Sequence, residues 1–91
     1  MQIINHLGEI LSKKIQISAT ASRGLIKLAI KDEIGPFVPF NQITLKDYQV
    51  IIRNSLKKRL QRLNVENFEE IIELLVNELI THQSLVLMEK I

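Results

Sequence analysis

One short segment, Gly35-Pro36-Phe37-Val38-Pro39-Phe40, sets the main limit on how this chain can fold. Each proline lacks a backbone N–H donor and disfavours helical geometry in the residue that precedes it, so a regular helix cannot run through the segment. The chain has 91 residues, which is enough for one domain and too few for two. We therefore predict a single helical domain over residues 1–91, divided by this segment, which we call the Gly-Pro loop.

Apolar residues on both sides of the Gly-Pro loop recur every three or four positions, which is the spacing of an amphipathic helix. The pattern predicts helices over about residues 3–14, 18–34 and 45–63, and a fourth helix that begins near residue 68. Residues 81–84 are poor helix formers, so the fourth helix either continues through them or is interrupted there.

Capping residues support the predicted helix ends. Ser18 and Thr20 are both suited to cap the start of the second helix, and Gly35 stands where a helix often needs a left-handed residue. Thr44 and Asp47 have the spacing of a capping box for the third helix, and Asn67 is the predicted N-cap of the fourth.

These signals predict an all-α fold, a small four-helix bundle in which the Gly-Pro loop is the crossover. The alternative is an α+β domain with short strands near residues 15–18 and 37–43, because the first of these segments alternates between apolar and polar residues. Two phenylalanines within the Gly-Pro loop raise a second question. The loop either closes one end of the bundle, which is the ordinary expectation for large apolar residues, or exposes them.

Charge is strongly segregated in the second half of the chain. Residues 46–64 carry six basic side chains and one acidic side chain, whereas all five charged residues between positions 66 and 79 are glutamates. Because the turn between the third and fourth helices is short, we expect an antiparallel hairpin in which these opposite charges pair.

The basic face of the third helix also supports a different hypothesis, which is a small nucleic-acid-binding protein. Arg53, Lys57, Lys58 and Arg62 lie on neighbouring positions of that helix and are the candidate polyanion-binding residues. The net charge of only +2 and the lack of aromatic residues among these basic side chains make nucleic-acid binding the less favoured alternative.

The favoured function is a non-enzymatic helical protein-protein interaction or adaptor module. Four apolar residues in succession, Leu85-Val86-Leu87-Met88, and Ile91 after them, exceed what one face of a small bundle requires. We therefore expect a protein partner or a homodimer to cover the fourth helix. The candidate partner-binding residues are Leu75, Leu79, Val86 and Met88.

Catalytic, metal and cofactor sites have little support in the sequence. The chain contains no cysteine and only two histidines, His6 and His82, and its serines lack the partners of a catalytic triad. Each histidine has a glutamate nearby, Glu9 or Glu78, but such spacings are common by chance. We therefore predict no catalytic residues, no metal and no cofactor. Polar residues, mostly glutamates, interrupt the longest apolar stretch, residues 68–91, so we also predict no membrane span and a cytoplasmic protein.

Overall fold

The computed structural model describes residues 2–89, and Met1, Lys90 and Ile91 lie outside the described residues. The predicted contribution of Ile91 to the apolar C-terminal end therefore falls outside them as well. The first two helices are α1, Gln2–Ile15, and α2, Ala19–Ile34. After the Gly-Pro loop, a single 3₁₀ turn at Phe40–Gln42 leads into the second half of the chain.

The predicted third helix is one continuous helical run with an irregular middle. It consists of α3, Leu45–Val50, a π-helical segment, Ile51–Leu56, and α4, Lys57–Arg62. The predicted fourth helix is divided into α5, Phe68–Thr81, and α6, Gln83–Met88. The division lies within residues 81–84, where the sequence contains poor helix formers.

The prediction of a small all-α bundle is confirmed, since residues 2–89 contain no β-strand. The α+β alternative is wrong. Near residues 15–18, α1 ends and Gln16 takes a left-handed conformation with φ 59°. Near residues 37–43, the chain forms the Gly-Pro loop and the 3₁₀ turn rather than an extended strand.

Most of the predicted helix caps are formed. The Ser18 side chain accepts a hydrogen bond from the backbone N–H of Ala21 at 3.1 Å. Gly35 follows α2 with φ 95°, in the region that favours glycine. Thr44 and Asp47 form both hydrogen bonds of the capping box, each 3.0 Å long. These caps depend on residues three or four positions apart, which explains why sequence patterns predict them.

The prediction that the Asn67 side chain caps the start of α5 is wrong. Asn67 directly precedes α5, but it is left-handed with φ 58° and its side chain makes no capping hydrogen bond. Asn64 is also left-handed, with φ 57°. Asparagine tolerates this conformation better than most residues, so the two asparagines form the tight turn between α4 and α5 instead of capping a helix.

The hydrophobic core draws side chains from every helix in the described part of the chain. α1 packs on α2 and α5, the π-helical segment packs on α2 and α5, and α6 folds back on α1. At this last contact the backbone N–H of Ile3 donates to the Glu89 carboxylate at 3.3 Å. The two ends of the described chain therefore lie side by side. None of the helices formed by residues 2–89 combines the length and the hydropathy that a membrane span requires.

Candidate functional sites

The four predicted partner-binding residues do not form one surface. Leu75, Leu79 and Val86 are almost completely buried in the core, whereas Met88 is 53% exposed. The first three are therefore core residues of the single chain, which corrects their assignment as partner anchors. The excess apolar surface of α5 is covered by α1, α3, the π-helical segment and α4. The large apolar side chains that this end of the molecule does expose are Ile80, Leu87 and Met88.

Two arginines of the basic helix are paired with carboxylates. Arg53 donates to Glu73 of α5, with 2.6 Å between Nη1 and Oε1. Arg59 donates from Nε to Asp32 of α2 over 2.6 Å, and its Nη2 donates to the other carboxylate oxygen. The predicted pairing of charges across the antiparallel hairpin is thus present at Arg53, and Arg59 makes a second link to α2.

The remaining candidate polyanion-binding residues also lie close to other groups of this chain. The ammonium group of Lys57 is 5.9 Å from the centre of the Phe68 ring, within reach of a cation–π interaction. Lys58 and Arg62 are exposed but line a shallow cleft that also contains Asp32 and Glu33. The structure therefore places carboxylates around most of the basic helix, which weakens its attraction for polyanions.

The two arginine–carboxylate pairs predict a pH dependence of folding stability. Hydrogen bonding to Arg59 lowers the pKa of Asp32, and hydrogen bonding to Arg53 lowers the pKa of Glu73. A carboxyl group with a lowered folded-state pKa stabilises the fold above its unfolded-state pKa of about 4. This contribution is lost as the pH falls through the folded-state pKa. We therefore expect urea denaturation to give a lower free energy of unfolding at about pH 3 than at about pH 6.

The double variant Arg53→Gln and Arg59→Gln isolates this effect. Its free energy of unfolding should decline less steeply between these pH values, and the change should be small because both pairs are at least partly open to solvent. Lys46→Gln is the control for loss of a positive charge elsewhere on the same helical run. Parallel pH profiles for the double variant and the unmodified protein would show that the pairs contribute nothing to stability.

The Gly-Pro loop carries the most exposed of the large apolar side chains in the described part of the chain. Phe37 is 93% exposed and Val38 is 37% exposed, whereas Phe40 packs partly against the core. The expectation that the loop closes one end of the bundle therefore holds for Phe40 and is wrong for Phe37. A groove of about 410 Å³ lies between the loop and α2. It is lined by Lys27, Ile30, Lys31, Gly35, Pro36, Phe37, Val38, Pro39 and Phe40.

The charge at this groove comes from α2. Lys27 and Lys31 are one helical turn apart, and both line the groove. In contrast to Arg53 and Arg59, neither lysine has a carboxylate within salt-bridge distance among residues 2–89. The groove therefore combines an exposed aromatic ring with two ammonium groups that the described part of the chain does not neutralise.

Both histidines meet at a second place on the molecule, and neither of them lines the groove. Nε2 of His6, on α1, lies 3.2 Å from Oε2 of Glu78, on α5. Nδ1 of His82, at the junction of α5 and α6, lies 3.2 Å from the same oxygen. The two imidazole rings have their centroids 4.1 Å apart and are tilted by 45°. We call these three residues the His-Glu-His triad.

The sequence indicates only part of this arrangement. Glu78 and His82 are four positions apart, a local spacing that is visible in the sequence, but His6 is 72 positions away from Glu78. The packing of α1 on α5 and α6 brings them together. The exposure of Phe37 likewise depends on how the loop leaves α2. Comparison of the chain with protein-family models, with curated proteins and with solved structures finds no match.

Proposed function

We propose that this chain is a non-enzymatic helical protein-interaction module, and that its binding surface is the groove between the Gly-Pro loop and α2. The proposed partner is a protein segment with an apolar anchor and acidic flanking residues. The observation that carries the proposal is the 93% exposure of Phe37 beside this groove. A cytoplasmic location belongs to the same proposal.

The Gly-Pro loop is suited to binding because the Phe37 side chain is exposed and the backbone that carries it is restrained. Prolines at positions 36 and 39 flank Phe37 and Val38 and limit the conformations of the loop. Binding then costs less conformational entropy than it would for a flexible loop. Full burial of a phenylalanine side chain contributes about 1.5–3 kcal/mol, and aromatic anchors in pockets often dominate binding energy.

The positive charge of the groove indicates which class of partner it would bind. Lys27 and Lys31 line the groove without a carboxylate partner among the described residues. Acidic residues on the partner would complement these ammonium groups, whereas basic residues would be repelled. An acidic segment with an aromatic or aliphatic anchor therefore fits both the apolar wall and the charge of the groove.

Peptide display on the immobilised full chain tests the proposal. We expect selection to enrich peptides that contain an apolar anchor next to Asp or Glu. Phe37→Ala should weaken the selected peptides by about tenfold or more, equivalent to about 1.4 kcal/mol. Leu63→Ala is the matched control, because Leu63 is 58% exposed but does not line the groove. Lys27→Glu with Lys31→Glu should reverse the preference toward basic peptides.

Peptides that bind equally well to Phe37→Ala, or that show no acidic preference, would contradict the proposal. Light scattering identifies the kind of partner. A mass above 10.5 kDa that falls with Phe37→Ala indicates a second copy of the chain, and a monomer leaves a different protein as the partner.

Nucleic-acid binding through Arg53, Lys57, Lys58 and Arg62 has less support, because carboxylates surround most of these groups.

A further inference from the structure

We propose that the His-Glu-His triad binds a divalent transition-metal ion, with zinc as the probe of choice. The ligands would be Nε2 of His6, Oε2 of Glu78 and Nδ1 of His82. Two imidazoles and one carboxylate form a donor set that suits zinc and its neighbours in the first transition row. The inference is independent of the proposed interaction groove, since none of these three residues lines it.

The spacing of the donor atoms fits a metal ion. Oε2 of Glu78 lies 3.2 Å from a ring nitrogen of each histidine, and the three donor atoms all lie within 4.8 Å of one another. Two ligand atoms bound to one tetrahedral zinc ion at about 2.0–2.1 Å lie roughly 3.3–3.4 Å apart. The two nitrogen–oxygen distances are therefore already close to the edges of a zinc coordination tetrahedron.

The surroundings hold the donors in place while leaving them accessible. The side chains of His6, Glu78 and His82 are 29%, 30% and 40% exposed, so an ion can reach them from solvent. Their immediate chain neighbours Leu7 and Leu79 are buried in the core, which fixes the backbones that carry two of the three donors. A flexible cluster on surface loops would lack this support.

A hydrogen bond holds the His82 ring in place in the absence of metal. Nδ1 of His82 lies 3.1 Å from the carbonyl oxygen of Glu78, and because a carbonyl oxygen only accepts, this nitrogen carries the hydrogen in the absence of metal. The same nitrogen lies 3.2 Å from Oε2 of Glu78. On metal binding the ring would change tautomer. The Nδ1 hydrogen would pass to solvent and Nε2 would take one up, so that the Nδ1 lone pair binds the ion in place of the hydrogen bond to the Glu78 carbonyl oxygen. Three protein ligands leave one tetrahedral position open, as in sites that bind an exchangeable fourth ligand.

The bound ion would connect distant parts of the chain. His6 belongs to α1, Glu78 to α5, and His82 to the junction before α6. The ion would therefore link the first helix to the last two. Because metal binds this folded arrangement and the unfolded chain does not preserve it, zinc should raise the thermal midpoint of unfolding.

The composition of the chain simplifies the test, because it limits the number of possible zinc ligands. It has no cysteine and only these two histidines, so every imidazole or thiolate donor in the chain belongs to the proposed site. Titration of the metal-free full chain with Zn²⁺ alone should show one ion bound per chain by calorimetry. Co²⁺ should give visible absorption bands, and Zn²⁺ should shift the ring proton resonances of both histidines.

Variants locate the site. His6→Ala, Glu78→Gln and His82→Ala should each weaken zinc binding by more than the roughly 10- to 100-fold that loss of an outer-shell partner causes. Glu9→Gln is the matched control, because Glu9 is an exposed carboxylate on α1 outside the triad. It should bind zinc like the unmodified protein. Circular dichroism checks that each variant remains helical.

Several results would overturn the proposal. One is the absence of heat, thermal shift and histidine resonance changes at about 100 µM zinc, which would leave a hydrogen-bonded triad only. Another is zinc binding that persists in the double variant His6→Ala and His82→Ala, or that falls equally in Glu9→Gln. If a variant unfolds, the resonance shifts of the unmodified protein still decide the question, because they report on both rings directly.

Discussion

Leu79→Ala is expected to lower the free energy of unfolding by about 2–5 kcal/mol, a large part of the total stability of a domain this small. Leu79 has 0% exposure and lies among the core residues contributed by the other helices. Truncation removes buried apolar surface and leaves a cavity that neighbouring helices cannot close completely. Urea denaturation followed by circular dichroism at 222 nm, the usual helix signal, measures the change.

Met88→Ala is the matched control for Leu79→Ala. Both residues were candidate anchors on the fourth predicted helix, but Met88 is 53% exposed. Its truncation should change the free energy of unfolding by no more than about 0.5 kcal/mol. Equal effects of the two substitutions would show that the burial of Leu79 is not what stabilises the bundle. A stable Leu79→Ala protein with altered oligomeric mass would instead restore Leu79 as a partner anchor.

Gly8→Val is expected to lower the free energy of unfolding by about 1–3 kcal/mol through steric overlap. Gly8 is buried where α1 approaches α2. A Cβ atom built at Gly8 would lie 2.6 Å from Cγ of Arg23 and 3.5 Å from its Cα. The Arg23 side chain would have to move, and the further methyl groups of valine would press on the α2 backbone. Thermal and urea denaturation measure the loss.

Gly24→Ala should change the free energy of unfolding in the opposite direction. Gly24 lies inside α2, and a Cβ atom built there meets nothing within 4 Å apart from its chain neighbours and the backbone of its own helix. Alanine favours a helix interior by about 0.8–1.0 kcal/mol over glycine, so this variant should be more stable than the unmodified protein. If Gly8→Val proves neutral, the close approach of the two helices is not required. If Gly24→Ala destabilises, its surroundings are more crowded than the structure indicates.

The Gly8 position shows how local and tertiary effects differ. By helix propensity alone, a glycine here weakens α1 by roughly 1 kcal/mol relative to alanine. The tertiary structure supplies the reason for its presence, which is the narrow separation between α1 and α2 at Arg23. Propensity depends on the chain segment itself, whereas the steric limit comes from a residue on another helix.

The pairing of charged residues was likewise only partly predictable, because some pairs join helices that do not follow each other in the sequence. Segregated charge and a short turn indicate an antiparallel hairpin with opposite charges facing each other, and Arg53 with Glu73 shows that pairing. The partner of Arg59 is Asp32 on α2, which lies outside the hairpin. A pairing between sequential helices follows from their connection, but a pairing with α2 requires the packing of the whole bundle.

The proline-rich break at residues 35–40, the helical periodicity and the caps at Ser18 and Thr44 follow from the sequence by itself, because they depend on single residues or on neighbours within one turn. The tertiary structure alone decided that Leu79 is covered within the chain, that Phe37 is exposed, and that His6 meets Glu78 and His82. Periodicity shows which residues share a helix face. It does not show which other helix covers that face, since this depends on contacts between residues far apart in the chain.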